Sequence, residues 1–240
     1  MEASLLSIRD LDVWYDRDKM VLTGFSAELG RDEVIGLIGL NGAGKTTFLK
    51  TLSGLLSGYR CGNICFQGRP AGLREESFKA CRYTVFDEDH SFSYFTFWEY
   101  LSYVFAVYGK KQSDVSDWVG ELIEGFHFGG CCHMLLKDLS TGNRKKAFLI
   151  TAFALRVPLL LLDEPVNGLD FQSTEYLYRQ ISAYRAHGTV LFSSHILESI
   201  TLTADRVLVL EDGRICREFT GGQINAGNIR EALRDEEKIG

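Results

Sequence analysis

The sequence predicts an α/β protein with a mostly parallel sheet covered on both faces. Two observations carry this. Short runs at 34–38, 159–162 and 190–192 are apolar throughout instead of alternating, as in strands buried on both sides. Each is followed by a stretch with helical spacing, which gives the strand–helix alternation of a layered sheet.

Taken in order, 6–14 reads as a strand: Leu6 and Ile8, then after a break in phase Leu11 and Val13, supply its apolar positions before the polar turn Asp16-Arg17-Asp18-Lys19. A second strand is expected at 21–29, giving an N-terminal antiparallel β portion. The strand at 34–38 ends in a glycine-rich loop, and a helix is expected over 45–52. The region 88–156 differs in character, with helical candidates at 97–108, 114–126 and 141–155. It contains the aromatic stretch Phe92-Ser93-Tyr94-Phe95-Thr96-Phe97-Trp98. These rings form the small core of an inserted α-helical subdomain or present a docking face to a partner helix, and both can hold. The expected organisation is one domain over 1–240, with its core at about 1–87 and 157–220, the helical subdomain at about 88–156 and a charged tail at 221–240.

Composition narrows the function. At 240 residues, 45% hydrophobic and 24% charged, the chain can bury a substantial core. Its longest apolar stretch, 157–162, falls far short of the roughly 20 residues that cross a bilayer. The N-terminus lacks the basic start and long apolar run of a signal peptide, so a cytosolic protein is expected. Its six cysteines are then expected as free thiols, and Cys131-Cys132-His133 lacks the second spaced pair of a zinc site. A net charge of -6 argues against sequence-independent nucleic-acid binding.

The chemistry starts at Gly39-Leu40-Asn41-Gly42-Ala43-Gly44-Lys45-Thr46-Thr47, which fits GxxxxGK[ST] between a predicted strand and a predicted helix. Such glycines let backbone N–H groups converge on a polyphosphate at the positive end of the helix. Lys45 is expected at the β- and γ-phosphates of ATP and the Thr46 hydroxyl on Mg²⁺. This loop is shared by kinases, GTPases and transport ATPases. The apolar run ending in Asp163-Glu164 adds two carboxylates, Asp163 for Mg²⁺ and Glu164 as general base.

Leu139-Ser140-Thr141-Gly142-Asn143 resembles the LSGGQ signature of the ATP-binding-cassette (ABC) ATPases. Asp163-Glu164-Pro165, Asn167-Gly168-Leu169-Asp170 and Ser193-Ser194-His195 resemble that family's Walker B end, D-loop and H-switch, in the same order, over nearly the whole chain. The resemblance implies a P-loop NTPase core and ATP sandwiched head-to-tail between two cassettes. Ser140, Thr141, Gly142 and Asn143 then act on the opposite subunit's nucleotide, Asp170 sits in the D-loop, and His195 contacts the γ-phosphate. It further implies a transmembrane permease partner, a second ABC ATPase subunit, and a cytoplasmic location on the inner face of the membrane. Tyr15 stands where the family stacks an aromatic ring on adenine, with Trp14 the competing candidate.

Two departures stand out. Asp87 occupies the position of the family's Q-loop glutamine. It could ligate Mg²⁺ but cannot donate to water as an amide can, and Asp87→Gln is expected to retain or raise ATPase activity. Thr141 and Asn143 replace a glycine and a glutamine of the signature, a variant similar to exporter-type subunits of the ABC-2 class. Export is therefore the expected direction. The alternatives are a non-transport ABC protein clamping a macromolecule and a slow nucleotide-dependent switch.

Overall fold

The computed structural model describes residues 4–16, 19–111 and 116–237. Arg17 and Asp18 of the expected turn, 114–115 of the expected second helix, the first three residues and the last three of the tail lie outside them.

In chain order the elements are β1 (Leu6–Asp16), β2 (Lys19–Leu29), β3 (Val34–Ile38), α1 (Lys45–Leu52), β4 (Tyr59–Phe66), β5 (Arg69–Pro70), α2 (Glu76–Lys79) and β6 (Arg82–Val85). There follow α3 (Phe97–Val107), α4 (Ser116–Gly125), α5 (Thr141–Leu155), β7 (Leu159–Asp163), α6 (Phe171–Ala183), β8 (Thr189–Ser193), α7 (Leu197–Thr203), β9 (Arg206–Glu211), β10 (Arg214–Thr220) and α8 (Ala226–Glu237). They build two sheets. One is antiparallel, in the order β2-β1-β4-β5; the other runs β10-β9-β3-β8-β7-β6. The second is parallel except for β10, which pairs antiparallel with β9.

The parallel strands β3, β7 and β8 are apolar through most of their length because successive side chains enter two different cores. Val34, Ile38, Leu160, Leu162, Val190 and Phe192 face a core shared with α3, α5, α6 and α8, represented by Phe97, Phe153, Ile181 and Ile229. Ile35, Leu37, Leu159, Leu161 and Leu191 face the other, which holds Phe48 and Leu49 of α1 and Leu6, Leu22 and Phe25 of the antiparallel sheet. The helical region thus shares one continuous core with the sheet. Of the aromatic stretch, Phe97 is fully buried while Tyr94 stands 75% exposed, so the two ends of one short segment face core and solvent respectively.

The break in phase of β1 is a bulge. Pairing skips from Ile8↔Ala27 to Leu11↔Phe25, and Asp10 takes φ 55 with its N–H donating to Ser26 Oγ. Thr96 and Glu99 form a capping box that starts α3. The tail is not wholly solvated, since Ile229 and Ala232 of α8 are buried.

Candidate nucleotide site

The loop between β3 and α1 supplies the first half of the site. Gly42 and Gly44 have φ 89 and 110, conformations that glycine adopts without Cβ strain. Gly44 caps α1 with no side-chain hydrogen bond, so the first-turn amides of α1 are left for an anion. Lys45 is buried, and its Nζ donates to the carbonyls of Gly39 and Leu40 at 2.7 and 3.1 Å, bracing the loop from within. The Tyr15 hydroxyl lies 3.4 Å from Thr47 Oγ1, whereas Trp14 packs beside Gly58, where its ring would meet an added Cβ. Of the two, Tyr15 is the ring beside the loop, and it is 56% exposed.

The second half comes from the ends of β7 and β8. Asp163 Oδ1 accepts from Thr46 Oγ1 at 3.1 Å and from Ser193 Oγ at 2.6 Å, tying loop and strand ends together. The next residue, Glu164, takes φ 45, which turns its side chain out of the strand. Its N–H donates to Ser193 Oγ, and its Oε2 accepts from the His195 N–H at 3.2 Å and lies 2.8 Å from His195 Nδ1. Lys45, Thr46, Thr47, Asp87, Glu164, Asn167 and His195 line one cleft with Asn41, Gly42 and Gly44.

Asp87 follows β6 at the rim of this cleft with both carboxylate oxygens engaged, Oδ1 by Lys145 Nζ at 2.7 Å and Oδ2 by Asn167 Nδ2 at 3.0 Å. Neither partner is visible in the sequence, since both contacts are long-range.

The 140–143 segment lies elsewhere. Ser140 caps α5, its hydroxyl accepting from the Asn143 N–H at 3.2 Å. Thr141 lines a neighbouring recess with Arg144 and Phe148; Ser140 and Asn143 line neither that recess nor the cleft around Lys45. Gly142 packs against the turn before α6 so closely that a Cβ would stand 2.2 Å from the Gly168 carbonyl oxygen. Asp170, which caps α6, accepts from Lys146 Nζ at 2.6 Å and from the Ser173 N–H at 2.9 Å. The Lys146 hydrogen bond, seconded by that of Ser173, holds its carboxyl well below the usual carboxylate range.

A phosphate-cradling loop between β3 and α1 and the acidic end of β7, with β8 between the two strands, at the C-terminal edge of a parallel sheet, define a P-loop NTPase. Within that class, the chain belongs to the ABC transporter family, whose model matches residues 22–167. It is 37% identical over 226 residues to AlbC of Bacillus subtilis (strain 168), whose name places it among ABC transporter ATP-binding proteins; the match covers 92% of this chain and 93% of that one. It is 31% identical over 224 residues to the cobalt import ATP-binding protein CbiO of Salmonella paratyphi A (strain ATCC 9150 / SARB42), covering 90% and 81%. A solved structure of an ATP-binding subunit of an ABC transporter superposes with a TM-score of 0.83 at 26% identity, covering 97% of this chain and 95% of that one.

The chain is thus an ATP-binding subunit of the ABC type, an ATPase whose family couples hydrolysis to transport. Subunits of this kind work with transmembrane components. Among the described residues, no helix is long and apolar enough to cross a membrane.

Proposed function

We propose that this chain hydrolyses ATP in a site completed by a second cassette and so drives a transmembrane partner, in the export direction, from the cytoplasmic face of the membrane. The observation that supports it best is the placement of Glu164 and His195 in one cleft with Lys45 and Thr46, the carboxylate held by the backbone and ring of His195. Tyr15 stacks on the adenine. The amides of 42–47 and the Lys45 ammonium take the β- and γ-phosphates.

Thr46 and Asp163 meet at 3.1 Å as hard oxygen donors, a set that suits Mg²⁺, which they would hold and which would offset the phosphate charge there. Glu164 accepts a proton from water as the water oxygen bonds to the γ-phosphorus and the bond to the β-bridging oxygen breaks. His195 orients the γ-phosphate. Ser140, Thr141, Gly142 and Asn143 of one subunit close over the nucleotide of the other, with Asp170 in the turn beside them. Export rests on the Ser140-Thr141-Gly142 form of the signature; the importer relative CbiO marks this as the part to test first.

The decisive experiment uses Glu164→Gln with ATP. Stalled hydrolysis should accumulate a dimer on size-exclusion chromatography, because nucleotide bound at two interfaces favours association by mass action. Adding Ser140→Arg should abolish it. A Glu164→Gln chain that turns over normally, or a monomer hydrolysing at full rate at every concentration, overturns the reading. Transport into inside-out vesicles against transport out of them decides direction.

A further inference from the structure

Beside Glu164 runs a closed ring of hydrogen bonds. Lys145 Nζ donates to Asp87 Oδ1 at 2.7 Å and to the Glu164 carbonyl at 3.3 Å. The Asn167 N–H donates to the same carbonyl at 3.2 Å, and Asn167 Nδ2 returns to Asp87 Oδ2 at 3.0 Å. Three parts of the chain far apart in sequence, the loop after β6, the start of α5 and the turn after β7, are joined in this ring, and the last two meet at the Glu164 carbonyl oxygen.

That oxygen belongs to a residue with a particular need. Glu164 sits at φ 45, a left-handed conformation uncommon for a residue with a Cβ, and one that persists only where neighbours hold it. Its N–H is fixed by Ser193 and its C=O by Lys145 and Asn167. The Lys145 side chain is only 4% exposed, whereas Asp87 is 38% exposed. An enclosed ammonium depends on its anion far more than a half-exposed carboxylate depends on its cation, which water can replace.

We propose that Lys145 is a positioning residue for hydrolysis: neutralised by Asp87, it holds the Glu164 carbonyl and with it the aim of the Glu164 carboxylate. The inference rests on Glu164 being the general base. It gives Asp87 the task of charge partner instead of metal ligand, and it reverses the expectation drawn from the sequence alone, since a glutamine at 87 would leave Lys145 enclosed and unpaired.

The test is a cycle of Asp87→Gln, Lys145→Gln and the double variant in the full chain, reading kcat, KM and affinity for a fluorescent ATP analogue. Asp87→Gln should lower kcat by about tenfold or more with nucleotide affinity within about twofold, because the loss falls on the aim of the base and not on the phosphate cradle. Lys145→Gln should cost less. The double variant, with two amides in place of two charges, should return to within about threefold of wild type. A purely structural pair would lower melting temperature and folded yield without separating kcat from affinity.

The proposal is overturned if Asp87→Gln is as active as wild type or more so, or if the double variant is slow or fails to fold, which would leave Asp87 acting on its own account. Should Asp87→Gln alone not fold, the double variant decides in the same terms. Failure of the Glu164 assignment is separate: it shows as normal turnover in Glu164→Gln, whatever the cycle gives.

Discussion

Two helices, α1 after the glycine-rich loop and α5 after the 139–140 segment, start in opposite ways. At α1 the cap is Gly44, without a side-chain hydrogen bond, and the first-turn amides are available. At α5 the cap is Ser140, whose own hydroxyl takes the Asn143 N–H. The start of α1 is built from backbone, braced by Lys45 from within and by Thr46 on Asp163. At α5 the Asn143 amide is already taken, and the helix start is fastened to the turn before α6, by Gly142 against Gly168 and by Lys146 to Asp170. Within one chain the α1 start serves the nucleotide while the α5 start is set by its packing, and variants of the monomer should separate the two.

Lys45→Ala should remove nucleotide binding altogether while leaving the fold intact, because the charge opposing the phosphates is gone; a fluorescent nucleotide titration checks it. Glu164→Gln should preserve that binding and lower turnover by roughly 10²- to 10⁴-fold, the range a positioned base supplies, measured as phosphate release. On the α5 side, Gly142→Ala should leave nucleotide affinity of the isolated chain unchanged but destabilise it by about 1–3 kcal/mol, since the added methyl must displace a main-chain carbonyl; denaturant unfolding would show it. Ser140→Ala should cost about 1 kcal/mol through the lost cap, again with binding unchanged. If either α5 variant weakens nucleotide binding by the monomer, the contrast between the two helix starts fails.

The smallest effect is on pH dependence. Asp170 has a lowered pKa in the fold, so its contribution is present above its ordinary value of 3.8 and is lost as pH falls through the lower, folded value. With its side chain 55% exposed, the contribution is screened. Asp170→Asn should therefore flatten, slightly, the loss of stability on acidification below about pH 4, followed by thermal unfolding across that range.

Much of this was legible in the sequence. The phosphate loop and the acidic strand end are local patterns, and 34–38, 45–52 and 141–155 match β3, α1 and α5 residue for residue. What escaped was set by tertiary contact. β4 buries only Ile64 and Phe66 and carries Arg60, Gly62 and Asn63, so no apolar pattern marks it. The β9–β10 hairpin did leave a signal, Asp212-Gly213 with φ 43 and 74, the dipeptide expected at a tight turn with positive φ. Asp87 could be seen as a departure, but its partner Lys145 lies 58 positions away and enters only when α5 folds over the end of β6. The choice between Trp14 and Tyr15 as the ring beside the loop likewise needed Gly58, which occupies the Trp14 side.

Strand β7, between β8 and the edge strand β6, illustrates a different kind of dependence. Its four leucines offer the same side chain to both cores, so sliding the strand by one residue would exchange one leucine for another at three of the four positions and change apolar burial only at the strand end. Greasiness alone gives this strand no address. The address is written at its end, where Asp163 must reach Thr46 and Ser193 at once and Glu164 must turn away from the sheet. The two carboxylates read as chemistry therefore also act as the notch that seats the strand, and the protein cannot align β7 without assembling its reactive edge.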